Sequence, residues 1–567
     1  MKRLLFIPLI LISLSFLSAS RAFGLTPDWS VDSEVPLGGD RSDLYGHGEN
    51  LEEVKRAGYI HALKWPVEVT GLMVPHEPLK FFLEAKKSNP LRRLIEKIAE
   101  KKFGYKDMDG LYEWLGLNIY PDNQRVQNVF QIPYPTENAR KPDYRMGASL
   151  LKTPHSPNSV GLTFSCAGCH SGTFMGKSIM GLTNKRPRAN EFFVLAKTYV
   201  PLIPSGFFRI ATKATKEEKE MFRRTKKNLP YIGAVPPQVL GLDTSLPHVA
   251  LSLHKRADDE YASKVKVRRR GPHKLESFVA DSKPMPWWNL KYKTRWLSDG
   301  SIVAGNPILT NFLWNEIGRG TDLKELEVWM KTNKLAIEQL TAAAFATTAP
   351  RWTDFFSESS LDLALAKEGE GVFNTSCKKC HGRYEKRWSY PLSDMESISE
   401  QIKTERVFYH KKTPVKNVGT DPNRWLATES FASDLNRLKI SKWMNTVVEP
   451  QEGYVPPPLE GVFLRYPYLH NNSVPSLCAL MMKPSERPKR FVQGPSTKAE
   501  HFDQDCVGYP VGDDIPKDWF KEKDALFDTS KSGLRNIGHS KMFWDEEGNP
   551  KQSPMEKRAL LEFLKTL

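Results

Sequence analysis

Cys166-Ala167-Gly168-Cys169-His170 and Cys377-Lys378-Lys379-Cys380-His381 are the two stretches that decide the reading of this 567-residue chain. Both have the form C-x-x-C-H, and they hold four of the six cysteines. Two thiols a helical turn apart can add to the two vinyl groups of a haem. The adjacent histidine then lies under the iron as its proximal ligand. The strings therefore predict two covalently bound haem c groups. Cys166, Cys169, Cys377 and Cys380 would be the attachment points, and His170 and His381 the proximal iron ligands.

The N-terminus reads as a cleavable leader over residues 1–20. Lys2 and Arg3 precede the apolar run Leu4 to Leu17, and Ser18-Ala19-Ser20 supplies small residues for cleavage. The run is short for a membrane span, so no anchor is expected after processing. The expected location is the bacterial periplasm or the exterior. That compartment disfavours the reduced thiolates of a structural zinc site. A thioredoxin-like cysteine pair would sit near a βαβ pattern, and neither string has one. The remaining cysteines, Cys478 and Cys506, are an even pair in an exported chain, which points to a disulfide; two buried thiols are the alternative.

Composition supports a folded chain of more than one domain. Hydrophobic residues make up 40%, with 14 Trp and 29 Phe, while 41 Pro and 36 Gly imply long ordered loops. The expected fold class is mainly α and loop-rich, with two cytochrome c-like haem domains, long insertions and an N-terminal extension. The expected division is a segment 25–145 of unassigned role, a first haem domain 146–355 and a second 356–567. Helices are expected over Leu91–Phe103, over Leu323 to about Ala346, from Ala366 into the second string, and over Met555–Leu567. Small residues after the first string, Ser171 to Lys177, would let backbone pass close to a flat cofactor.

The net charge is +16. Part of it lies in Arg223-Arg224-Thr225-Lys226-Lys227 and in Lys264 to Arg270. Such runs are either a solvated face or a field that steers an acidic redox partner. A redox protein or a small oxidant or reductant is the expected partner. Nucleic acid does not suit an exported chain.

Beyond the strings, Gly369 to Gly382 resembles the haem domain of bacterial dihaem cytochrome c peroxidases. Pro467-Tyr468-Leu469-His470-Asn471-Asn472-Ser473-Val474-Pro475-Ser476-Leu477 resembles that superfamily's P-Y-x-H-[DN]-x-S-x-x-x-L signature, continued by Arg487-Pro488 and Phe491-x-x-Gly494. Chain length, the long gap between strings, Gly419-Thr420-Asp421-Pro422 and Asn536-x-Gly538-His539 are more similar to the rubber-oxygenase branch. The resemblance covers about residue 145 to the end.

It implies an oxidoreductase with unequal haems. His539 would be the distal ligand of the second haem, with His470 the runner-up. The first haem would be the reactive one, with an open distal side for peroxide or dioxygen. Met146, Met175 and Met180 are weak ligand candidates that read more readily as core. Trp288, of the Trp287-Trp288 pair, is the candidate aromatic between the haems; plain core packing competes with that role. The alternative function is a non-catalytic periplasmic electron-transfer cytochrome with both haems six-coordinate. No distal acid or base for O–O cleavage is identifiable beside the first string. Calcium has no sequence support.

Overall fold

The computed structural model describes residues 27–65, 67–68, 71–84, 107–122, 132–242, 245–256 and 274–567. The leader, the Leu91–Phe103 helix and the 264–270 basic run lie outside the described residues. Helix exceeds strand by 43% to 12%, and loops are extensive, so the chain is mainly α and loop-rich.

The first string is delivered by a small antiparallel sheet. Ser156–Phe164 is its central strand, between Val74–Pro75 and Ala148–Thr153. It runs directly into Cys166, and the single turn Ala167–His170 follows. The small residues beyond form a hairpin, Ser171–Phe174 with Lys177–Met180. Met175 and Gly176 both have positive φ at its tip, the backbone that matches the twist of paired strands.

Helix Leu51–Lys64 of the N-terminal segment packs on Lys334–Ala346. The long helix expected from Leu323 to Ala346 is two helices, Leu323–Thr332 and Lys334–Ala346. Asn333 breaks it with φ −110° and ψ 37°. Its side-chain amide donates to the Trp329 carbonyl at 2.9 Å, competing with the helix's own bonds.

The second string is delivered by a helix, as expected. Leu363–Ser376 starts at Asp362, whose carboxylate accepts from the Leu365 N–H. The turn Lys378–His381 continues from it. The closing helix Pro554–Lys565 begins with a Ser553/Glu556 capping box and lies against Leu363–Ser376. Gly369 sits at their crossing, where a Cβ would collide with the Ala559 carbonyl.

Two large apolar cores result. One joins Tyr59, Met146, Met180, Phe312, Phe345 and Val448. The other joins Trp288, Phe373, Phe463 and Phe563. Phe174, four residues beyond His170, belongs to the second core and packs edge-on against Phe355 and Phe502. This insertion fastens the first string to the half of the chain that carries the second. Cys478 and Cys506 form a disulfide, with Cα atoms 5.0 Å apart.

A candidate dihaem site

One cavity of about 450 Å3 is lined by both strings. Cys166, Cys169, His170, Cys377, Cys380, His381, His470 and His539 all reach its wall. The four string cysteines are outside any disulfide. Their surroundings are apolar, and burial pushes the Cys166 and Cys377 thiols up to about 12. Phe164, Phe193, Trp296, Ile308 and Trp314 line the cavity on the side of the first string, Leu560 and Leu564 on that of the second. A half-buried cysteine pair with an adjacent imidazole on the wall of a largely apolar cavity fits covalently attached haem at each string.

His381 is oriented by its outer nitrogen. Its Nδ1 lies 2.8 Å from the Pro457 carbonyl oxygen, to which it donates when protonated at that nitrogen. That tautomer leaves the Nε2 lone pair for the cavity. Burial pushes its pKa down to about 3, so the ring is neutral at pH 7, as a metal ligand must be. The ring centre of His539 lies 6.2 Å from that of His381, with 48° between the planes. Burial brings His539 down to about 4.

Three separated motifs hold His539 there. Gly538 has φ +76° and His539 φ +52°, a tight turn. A Cβ on Gly538 would collide with the backbone of Gly419 and Thr420, so the two glycine motifs meet face to face. The His539 N–H donates to the Val418 carbonyl at 2.8 Å. Asp421 accepts from the Gly533 N–H at 3.1 Å and from Arg535 Nε at 2.8 Å. The Asn471 amide donates to the Gly533 carbonyl at 3.1 Å. Arg487 donates to the Asn536 carbonyl, and the Asn536 amide to that of Pro488. The peroxidase-like signature and both glycine motifs thus converge on one turn.

His470 stacks flat on Tyr454, with centres 3.8 Å apart and 17° between planes. Met146 and Met180 are core residues, Met175 packs on the second core, and the cavity wall includes none of them. Met285 does reach the cavity, a sulfur the sequence reading passed over.

His170 faces an indole. Trp287 lies 5.5 Å from it, at 36°, and lines the cavity. Its neighbour Trp288 is fully buried, with its indole N–H on the Glu460 carbonyl at 2.8 Å. Trp288 is therefore packed on the turn beside Pro457, and Trp287 is the member of the pair that reaches the proximal histidine of the first string. The two tryptophans are adjacent in the 3-10 turn Trp287–Tyr292.

Residues 453–492 match the family model described as RoxA-like, cytochrome c-like. This segment carries Pro457, Arg465, His470, Asn471 and Arg487, the wall and braces of the second site. The match supports the rubber-oxygenase-like branch of cytochromes c and implies covalent haem c with iron. The chain is also similar to the uncharacterized protein y4iJ of Sinorhizobium fredii. The two are 27% identical over 491 residues, covering 72% of this chain and 77% of that one. The uncharacterized protein y4iM of the same organism is 36% identical over 191 residues, covering 32% and 42% respectively.

The basic run 223–227 lies on helix Lys216–Asn228 and is partly neutralised. Arg223 pairs with Glu220 at 2.6 Å, and Lys226 donates to the Ile203 carbonyl. Among the described residues no helix is long and apolar enough to cross a membrane.

Proposed function

We propose that the chain is an exported dihaem c-type cytochrome working as an oxidoreductase, with two unequal haem sites. The supporting observation is the His381–His539 spacing of 6.2 Å. Metal–imidazole bonds of about 2 Å, plus about 1.2 Å from nitrogen to ring centre, put trans imidazoles about 6.4 Å apart. The two rings thus have the spacing of a pair that holds one iron from both sides.

Cys166 and Cys169 would tether the first haem and Cys377 and Cys380 the second, with His170 and His381 as proximal ligands. A haem supplies one-electron redox chemistry and, where its sixth position is open, binding of peroxide or dioxygen. His381 and His539 would both hold the iron of the second haem, which suits electron transfer. The first site is the one assigned to reaction with oxidant, on the resemblance to the rubber-oxygenase branch; the ring beside its proximal His170 is the Trp287 indole. Trp287, beside His170 and on the cavity wall, would be the aromatic nearest the first site.

Purified protein tests this directly. Two covalent haems per chain are expected, with one low-spin and one high-spin ferric signal by electron paramagnetic resonance. Fewer than two haems removes the dihaem reading. Two low-spin signals insensitive to added cyanide favour a plain electron carrier over an enzyme.

A further inference from the structure

Lys283, Lys293 and Arg465 line the cavity. The two other arginines in its wall have acids beside them: Arg319 has Glu316 at 3.3 Å, and Arg424 has Asp299 at 3.9 Å; Lys416, also in the wall, is exposed to solvent. These three have no carboxylate partner among the described residues. Lys283 donates to the carbonyls of Arg465 and Pro467. Lys293 donates to the Met285 sulfur at 3.0 Å. Arg465 donates to the Pro458 carbonyl at 2.9 Å.

Lys293 is buried, Lys283 and Arg465 are half-buried, and burial first and the Arg465 charge second lower the pKa of both lysines. Lys283 and Arg465 both line the cavity. Unpaired buried cations are costly, and clustered ones more so. A fold that gathers three of them around one space provides for negative charge in that space.

Position says which charge. Lys293 touches Met285, whose backbone is the polar neighbour of His170. Arg465 touches Pro458, next to the carbonyl that holds His381. Lys283 bonds to the backbone of Arg465, and its own N–H donates to the His470 carbonyl. The cluster therefore runs from one proximal histidine to the other.

We infer that Lys283, Lys293 and Arg465 form one cationic cradle for the carboxylate side chains of both haems. The inference rests on the dihaem reading above. The cradle neutralises the haem carboxylates inside the protein and couples the two sites electrostatically. It also favours the reduced state of each iron, since positive charge nearby stabilises an added electron.

The test uses the haem-loaded full chain and the variants Lys283→Met, Lys293→Met and Arg465→Met. Haem content is measured first, then the potential of each haem by spectroscopic redox titration. In each variant the potential of at least one haem is expected to fall, shifting its reduced-to-oxidised ratio about tenfold, or about 59 mV. Wild-type protein with fewer than two haems overturns the dihaem reading itself. Wild type and variants with two haems and unmoved potentials overturn the cradle alone. Should a Met variant lose haem, Lys283→Arg and Lys293→Arg decide: recovery of both haems supports a charge role, and continued loss overturns it.

Discussion

The imidazoles of His381 and His539, 158 positions apart in sequence, face each other across the cavity with centres 6.2 Å apart. Replacing His539 with Ala removes one ring and leaves His381 anchored to Pro457. The second haem should change from low to high spin. An unchanged spectrum would strike His539 from the ligand set.

Trp287 and Trp288 should separate cleanly. Trp287→Leu removes the ring beside His170 and should alter the spectrum of the first haem. Trp288→Ala leaves a core cavity and should cost about 3–5 kcal/mol in unfolding experiments. It should leave the first-site spectrum intact. The reverse pattern would restore Trp288 as the residue that serves the site.

The Cys478–Cys506 bridge closes a separation of 28 residues. Replacing both with Ser should cost about 3–4 kcal/mol through the freer unfolded chain. The bridge ties the helix after His470 to the 503–508 turn, away from the string cysteines. Haem content should stay at two, and a drop would mean that the bridge supports attachment.

His248 gives an acid-sensitivity prediction. It is buried, its Nε2 accepts from the Val235 N–H at 3.0 Å, and burial lowers its pKa to about 3. The folded value lies below the ordinary one, about 6.5. As pH falls, the unfolded chain takes the proton first. The stability tied to this ring is complete above about pH 6.5 and drains away toward pH 3. Between pH 7 and 5 the loss is about 2 kcal/mol. His248→Gln keeps an acceptor without a titrating proton. Its denaturant midpoint should fall less over that interval than that of wild type; an equal fall would clear His248.

Much of the site is readable because its chemistry is local. A C-x-x-C-H string carries both attachment points and a ligand within five residues, so no folding is needed to see them. His539 is a candidate because the resemblance to the rubber-oxygenase branch places a distal ligand at the Asn536-x-Gly538-His539 turn, which Gly538 marks in the sequence. Helix Leu363–Ser376 shows in its periodicity and in the string it feeds. The break at Asn333 is less visible, because one side-chain bond to Trp329 decides it.

The sequence by itself shows two C-x-x-C-H strings, points to a mainly helical and loop-rich chain, and offers Cys478 and Cys506 as a pair that the structure shows bridged. Only the tertiary structure decided which of two adjacent tryptophans meets His170, since a short 3-10 turn gives no periodicity from which to assign faces. It alone gathered Lys283, Lys293 and Arg465 around one cavity. In sequence each is an ordinary cation whose default is the solvated surface. Burial and the absence of a neighbouring acid make them informative, and both arise when distant segments pack together.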